Sequence, residues 1–124
     1  MAKKISLSDL DLAADAKSLK AALEKADTNK VRDPYVLFDW DDAEGKNLKA
    51  GYAVLYPGCR TGGHEHDDVE EVYHVVNGKG NMYVGDESFA FEPGDTWIVP
   101  RFKHHWTENT GNRPIEMFWI LIKV

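Results

Sequence analysis

The spacing of hydrophobic residues changes near residue 30 of this chain. Between Ser8 and Asp27 the apolar residues are three or four positions apart and form a single stripe: Leu12, Ala16, Leu19, Leu23 and Ala26. This spacing is typical of an amphipathic helix. The sequence therefore predicts an N-terminal helical segment over residues 1–30 that packs on the rest of the protein.

Beyond residue 30 the pattern is one of short strands separated by turn residues. Val31 to Trp40 contains Pro34, which favours a sheet edge because proline cannot donate a ladder hydrogen bond. Ile115 to Val124 is apolar on both faces, as expected of a central strand or of one that meets another subunit. Turn pairs divide the chain between these two segments: Pro57-Gly58, Gly62-Gly63, Asn77-Gly78, Gly85-Asp86 and Pro93-Gly94. Such regular breaks predict one all-β domain, a sandwich or barrel, over residues 31–124.

Composition narrows the classes of partner and compartment. The 124 residues suffice for one domain with a real core, and the formal net charge of -6 argues against nucleic acid and anionic membranes as partners. Cys59 is the single cysteine, so no internal disulfide forms, which fits a reducing compartment. The sequence shows neither a signal peptide nor a membrane span. It predicts a cytoplasmic protein with a small-molecule substrate.

Metal-ligand side chains concentrate in the middle of the strand-rich part. His64 and His66 point the same way if their segment is extended, and Glu71 opens an apolar run. Imidazole and carboxylate groups are ligands that borderline divalent metals prefer. Paired strands that bring these side chains together would make a concave metal site, to which His105 can add a fourth ligand.

Two motifs that contain these residues resemble those of the cupins, which are small double-stranded β-helix (jelly-roll) barrels. The first motif is Gly, five residues, His-x-His, three or four residues, Glu, six residues and Gly; here it falls on Gly58, His64, His66, Glu71 and Gly78. The second is Gly, five residues, Pro-x-Gly, two residues, His, three residues and Asn; here it falls on Gly94, Pro100, Phe102, His105 and Asn109. The resemblance implies an all-β cupin jelly-roll barrel with one N-terminal helix. It also implies one divalent metal ion (Mn, Fe, Ni, Zn or Co) held by His64, His66, Glu71 and His105.

Phe102 is the one departure from these motifs, since cupins carry glycine there. Glycine at this position serves a tight turn, and a bulky residue disfavours positive φ. We therefore expect the loop from Pro100 to His104 to run differently, with Phe102 as a wall of the pocket.

Two other side chains are candidate catalytic residues. Tyr73 lies two residues after Glu71 and so points into the same interior, where a nearby cation lowers the pKa of a phenol and suits it to proton transfer. Some metal-dependent cupin lyases resemble this arrangement, although Tyr73 can equally be an aromatic that fills the barrel. Arg60 can reach the pocket mouth and pair with a substrate carboxylate, or it can pair with a surface acid. Strand parity turns three other candidates to the opposite face: Glu70, His74 and His104.

Three imidazoles and one carboxylate leave up to two open positions on an octahedral metal, enough for a bidentate hydroxy acid, keto acid or enediol. The sequence predicts a metal-dependent lyase or isomerase acting on a small oxygenated metabolite (a hydroxy or keto acid, or a sugar derivative) by Lewis-acid-assisted proton abstraction. An Fe(II)-dependent dioxygenase and a non-catalytic small-molecule or sugar-binding cupin are the alternatives. The doubly apolar C-terminal strand and the habit of the family predict a homodimer.

Overall fold

The computed structural model describes residues 2–9 and 32–124. The helix predicted from Ser8 to Asp27 lies almost wholly outside these residues, and the described N-terminal part contains one 3-10 turn, Leu7–Asp9. A second 3-10 turn, Trp40–Asp42, follows the first strand. The other elements of the described chain are eight strands: β1 (Arg32–Phe38), β2 (Leu48–Leu55), β3 (Val69–Asn77), β4 (Gly80–Val84), β5 (Glu87–Phe91), β6 (Thr96–Val99), β7 (His105–Glu108) and β8 (Ile115–Lys123).

The strands form two antiparallel sheets, and the all-β prediction is confirmed. The larger sheet has the order β1-β2-β8-β3-β6, and the smaller one has the order β5-β4-β7. β1 lies at a sheet edge, as its proline predicts. β8 lies between β2 and β3, so it is the central strand that its apolar residues on both faces favour.

Side chains alternate between the core and the outer surface along the strands that matter for function. On β3 the residues Glu71, Tyr73 and Val75 are buried, whereas His74 and Val76 between and beyond them are exposed. The core cluster draws its members from both sheets and includes Leu55, Val75, Met82, Phe91, Val99, Ile115 and Met117. The interior is therefore shared by the two sheets, and polar groups that point inward on β3 share it with the apolar core.

The end of the barrel near the Asn77-Gly78 turn is closed by two motif residues. Gly78 has a φ of 87°, and a Cβ there would lie 2.6 Å from the carbonyl oxygen of Pro114, so only glycine fits. Asn109 is buried; its Nδ2 donates to the carbonyls of Leu55 and Arg113, and its Oδ1 accepts from the N–H of Gly111. These bonds tie the chain after β7 to the ends of its neighbours.

Within the described residues, the structure contains no helix with the length and apolar character needed to span a membrane.

Candidate metal centre

Backbone hydrogen bonds place the histidines of the candidate metal centre. The N–H of His64 donates to the carbonyl of His105 at 3.1 Å, and the N–H of His105 donates back at 2.9 Å. The carbonyl of His66 accepts from the N–H of Phe102 at 2.7 Å. His64 forms only an isolated bridge and His66 lies outside any strand, so these contacts, rather than a regular strand, direct both rings to one point.

Four side chains converge there, as the sequence predicts. The ligand atoms of His64, His66, Glu71 and His105 all lie within 4.8 Å of one another. The Oε1 atom of Glu71 is 3.0 Å from His105 Nε2, 3.6 Å from His66 Nε2 and 3.9 Å from His64 Nε2. One carboxylate oxygen thus faces three imidazole nitrogens, which is a donor set suited to a divalent ion.

Two observations test whether these residues fit a metal ion. His66 Nε2 is buried, and it has no hydrogen-bond partner in the described part of the chain. The Nδ1 atom of His105 lies 2.9 Å from the carbonyl oxygen of Lys103 and must donate to it, because a carbonyl only accepts. That bond orients the ring and points Nε2 at Glu71 Oε1, 3.0 Å away, on the side where a cation would bind, as in metal sites where the second ring nitrogen is anchored. The cluster can therefore hold a divalent metal ion.

The electrostatics of the cluster centre on Glu71. Burial is the largest single influence and would raise the pKa of Glu71, but the nearby imidazoles of His105, His64 and His66 and the hydrogen bond from Tyr73 together outweigh it and hold the pKa below its ordinary value. The same carboxylate raises the pKa of His66, against the opposing effect of burial. Glu71 is therefore an ionised group that attracts cations into a largely buried site.

Tyr73 points into the same interior, as its position two residues after Glu71 predicts. It is buried, its hydroxyl donates to Glu71 Oε1 at 2.7 Å, and its ring stacks on Trp97 with the centroids 5.5 Å apart. Burial, together with the charge of Glu71 and the hydrogen bond to it, raises the pKa of the phenol well above its usual value. The protein groups thus act against the lowered pKa that the sequence predicts, and they keep Tyr73 protonated.

The ligand side chains and Tyr73 share one cavity of about 180 Å³. Its apolar wall comes from the larger sheet and consists of Ala53, Met117, Trp119 and Leu121. Arg32, Thr61 and Thr107 add polar groups to the lining. The sequence did not identify Arg32 as a residue of the cavity lining. The only feature that could have indicated it was its position at the start of a predicted strand.

Arg60, the arginine singled out from the sequence, lies elsewhere. It is exposed, it is not among the residues that line the cavity, and its guanidinium carbon lies 5.7 Å from the centre of the Trp106 ring. The structure therefore gives a catalytic role for Arg60 no support.

The loop at Phe102 corrects one expectation. Phe102 adopts a φ of 67°, the left-handed conformation that glycine serves in the motif, and it lies 62% exposed outside the cavity lining. The loop thus keeps the path of the motif despite the bulky residue, and His105 reaches the cluster. Phe102 is not a wall of the pocket.

The histidines expected to face away do so. His74 is exposed and pairs through Nδ1 with the hydroxyl of Thr96 at 2.6 Å on the outer face of the sheet. His104 is exposed, and its ring lies beside Gly63 rather than in the cluster. Strand parity accounts for the outward position of His74, which lies on β3.

Known proteins share parts of this sequence. The chain is 34% identical over 113 residues to a glucose-6-phosphate isomerase of Thermococcus litoralis, an alignment that covers 81% of this chain and 58% of that protein. It is 29% identical over 68 residues to the oxalate-binding protein of Thermotoga maritima, which covers 55% of this chain and 56% of that protein. The chain thus spans less than two thirds of the length of these relatives.

Two solved structures have the same fold. A predicted oxalate decarboxylase from Thermotoga maritima superposes with a TM-score of 0.71 at 24% identity, covering 75% of this chain and 81% of that one. The cupin domain of Cnp3 from Schizosaccharomyces pombe superposes with a TM-score of 0.74 at 16% identity, covering 98% of this chain and 74% of that one. The cupin domain family matches residues 51–121, a range that includes all four ligand side chains and Tyr73. The chain therefore belongs to the cupin domain family.

Proposed function

We propose that this protein is a metal-dependent enzyme of the isomerase or lyase type, which acts on a small oxygenated metabolite by proton transfer beside a carbonyl group. One observation carries the proposal. The hydroxyl of Tyr73 lies 2.7 Å from Glu71 and lines the same cavity as the four ligand side chains. A phenol hydroxyl and a candidate metal centre therefore face the same cavity.

The ligand side chains prepare the site for a substrate with negative charge on oxygen. His64, His66, Glu71 and His105 would hold the metal, which when bound supplies a Lewis acid that stabilises this charge. Glu71 stays ionised because its pKa lies below the ordinary value, so it holds the imidazoles toward one point at neutral pH. The apolar wall, which includes Trp119 and Leu121, gives the same space a hydrophobic side.

Tyr73 is the leading candidate for the proton-transfer group. Its hydroxyl is a proton donor, 2.7 Å from Glu71 Oε1 and inside the cavity, which favours the role of an acid that delivers a proton to the substrate. Trp97 stacks on the ring, and this contact orients the hydroxyl toward Glu71. A rigidly held donor beside the ligand cluster suits the protonation step of an isomerisation or elimination.

The relatives and the size of the cavity support a small substrate. Relatives named glucose-6-phosphate isomerase are 34% to 37% identical, whereas those named 5-nitrosalicylic acid 1,2-dioxygenase and oxalate-binding protein are each 29% identical. The recurrence of the isomerase name among these relatives supports an isomerase as the first candidate. The cavity of about 180 Å³ is smaller than the roughly 300–1,000 Å³ of pockets for drug-sized ligands, which supports a metabolite of a few carbon atoms.

The test is turnover by metal-loaded protein on a panel of hydroxy acids, keto acids and sugar phosphates, with and without oxygen. Tyr73→Phe keeps the stacked ring and deletes only the hydroxyl. We expect kcat to fall roughly 10²–10⁴-fold, with metal content and melting temperature close to those of the wild type. Tyr83→Phe is the matched control, because Tyr83 stacks on Trp106 and does not line the cavity.

Three outcomes would contradict the proposal. Turnover that requires iron and consumes oxygen would identify a dioxygenase. Tight binding of a panel compound without turnover would identify a binding protein. A Tyr73→Phe variant that turns over at the wild-type rate would make Tyr73 a packing residue.

A further inference from the structure

We propose that a second cavity, at the end of the barrel remote from the candidate metal centre, is a binding site for an organic phosphate monoester. This far cavity has a volume of about 760 Å³, which lies within the roughly 300–1,000 Å³ of pockets for small organic ligands. Two positively charged side chains, Lys79 and Arg113, line it. They supply the charge that a phosphate group attracts, and the cavity has room for the organic part of the molecule.

The strands separate the far cavity from the metal centre. Among the described residues, none lines both cavities. Glu71 and Asn77 lie six residues apart on β3, which corresponds to about 20 Å of strand. On β8, Met117 lines the metal cavity and the neighbouring Glu116 lines the far cavity, because successive side chains of a strand point to opposite faces. A ligand in one cavity therefore does not occupy the other.

One wall of the far cavity is a row of three side chains on the outer face of the larger sheet. Val54 pairs with Glu116 across β2 and β8, and Asn77 pairs with Glu116 across β3 and β8. The Nδ2 atom of Asn77 donates to Glu116 Oε2 at 2.7 Å. Glu116 is the one acidic residue among the described residues of this lining. Its carboxylate therefore already has a hydrogen-bond donor within the sheet.

The two cations give the far cavity a local excess of positive charge. Within the described part of the chain, the side chains of Lys79 and Arg113 have neither a hydrogen-bond partner nor an ion-pair partner. Two positive charges against the one negative charge of Glu116 stand out in a protein whose formal net charge is -6. A phosphate monoester carries about -1.5 to -2 charges at pH 7 and three acceptor oxygens. It therefore matches two cations better than a single carboxylate does.

Two turns that pack against each other carry the cations. Asn109 is buried and ties down the turn that carries Arg113. Its Nδ2 donates to the carbonyl of Arg113 at 2.8 Å, and its Oδ1 accepts from the N–H of Gly111 at 3.0 Å. The turn that carries Lys79 lies close to the same segment, because a Cβ on Gly78 would be 2.6 Å from one of its backbone carbonyl oxygens. The backbone of both turns is thus fixed before a ligand arrives, which lowers the entropy lost on binding.

The rest of the lining suits an organic group attached to the phosphate. Val54, Pro93 and Pro114 contribute apolar surface, and the side-chain amide of Asn112 can both donate and accept a hydrogen bond. A ring can pack on the apolar residues while the phosphate meets the cations. We therefore expect a monoester with a ring to bind more tightly than inorganic phosphate.

The experiment maps binding by NMR on nitrogen-15-labelled full-length protein loaded with zinc, which is diamagnetic and keeps the amide signals visible. The probes are phenyl phosphate and AMP, each compared with its neutral counterpart, phenol or adenosine. Both phosphates should shift the amide signals of Gly78 and Gly111, which line the far cavity. Two exposed charge contacts predict dissociation constants about 5- to 20-fold lower than those of the neutral molecules. Benzoate, which has the same ring as phenyl phosphate and one carboxylate, should bind more weakly than phenyl phosphate.

Three variants assign the advantage of the phosphates to the two cations. Lys79→Gln and Arg113→Gln should each weaken the binding of phenyl phosphate several-fold, and the double variant should bind it no better than phenol. Lys4→Gln is the control, because Lys4 is exposed, lines neither cavity and changes the net charge by the same amount. Increasing salt should also reduce the advantage in the wild type. Melting temperatures confirm that each variant is folded.

Four results would overturn the inference. They are equal binding of the phosphates and their neutral counterparts, benzoate binding as tight as that of phenyl phosphate, an advantage that persists in the double variant, and signal shifts confined to the metal cavity, which Gly62 reports. None of these measurements uses turnover. A refuted phosphate site would therefore leave the proposed enzyme untouched, and the converse also holds.

Discussion

Gly51 leaves the space that the Trp119 ring occupies, and filling this space provides a sharp test of the cavity. The two residues are directly opposite on β2 and β8. A Cβ built on Gly51 would lie 2.0 Å from Trp119 Cζ2, 2.3 Å from Cε2 and 2.6 Å from Cη2. Carbon atoms pack at about 3.5–4.0 Å, so in Gly51→Ala the ring or the strand must move by more than ~1 Å.

The size of the effect follows from two opposing contributions. Overpacking of a core costs about 1–3 kcal/mol, and a contact this short on a rigid ring belongs near the upper limit. Alanine recovers roughly 0.5–1 kcal/mol because the unfolded chain loses less entropy than with glycine. We therefore expect Gly51→Ala to lower the free energy of unfolding by about 2 kcal/mol and the melting temperature by roughly 6–12 °C.

The assay combines thermal melting with metal and ligand binding. Neither Gly51 nor Trp119 is a ligand side chain, so bound metal should persist, whereas affinity for a small anion should weaken as the ring shifts. In a Trp119→Leu background the Gly51→Ala change should cost little, giving a coupling energy of at least ~1 kcal/mol. Gly111→Ala is the control, because its Cβ would meet its nearest neighbour at an ordinary 3.5 Å. A Gly51→Ala protein as stable as the wild type would refute the packing described here.

Three other predictions concern the metal, the strained loop and the oligomer. His66→Ala should lose most bound metal and the thermal stabilisation that metal confers, about 2.7 kcal/mol at a hundredfold excess over Kd. Elemental analysis measures the metal content of His66→Ala, with His74→Ala as the control because His74 faces outward. Full metal occupancy in His66→Ala would exclude His66 as a ligand. Phe102→Gly should be about 1 kcal/mol more stable than Phe102→Ala. Both variants remove the ring, but only glycine relieves the strain of a φ of 67°. Equal melting temperatures of the two variants would show that the strain is absent. The homodimer stays a prediction. It is supported by three adjacent apolar residues on the outer face of the larger sheet, Val72, Ile98 and Ile120, of which Ile98 is 55% exposed. A clean monomer in light scattering would contradict it.

The four converging ligand side chains could be predicted because the resemblance to the two cupin motifs brings together residues that are distant along the chain. His64 and His105 exchange backbone hydrogen bonds, and Glu71 has a fixed parity on β3, so the separation along the chain constrains the separation in space. The same parity correctly placed Tyr73 inside and His74 outside. The strand character expected for His64 and His66 was not needed, since loop contacts direct the rings instead.

The cavity position of Arg32 and the backbone conformation of Phe102 could not be predicted from the sequence. Arg32 reaches the cavity through the register of β1 on β2, a long-range pairing that no short motif encodes. For Phe102, the preference of bulky residues against positive φ is worth only about 1–2 kcal/mol. The hydrogen bond from its N–H to His66 and the contact of Arg101 with its ring act in the opposite direction.

The four ligand side chains differ in depth, and this gradient gives the site an entrance for ions. The exposed fraction of the side chain falls from 51% at His64 to 26% at His66, 7% at Glu71 and 1% at His105. His64 would be the ligand most accessible from solvent, and Glu71 and His105 would hold the ion from the buried side. A chelator would need only to reach the His64 side of the folded protein. Metals should therefore exchange without global unfolding, and one preparation can be stripped and reloaded with each candidate ion in turn.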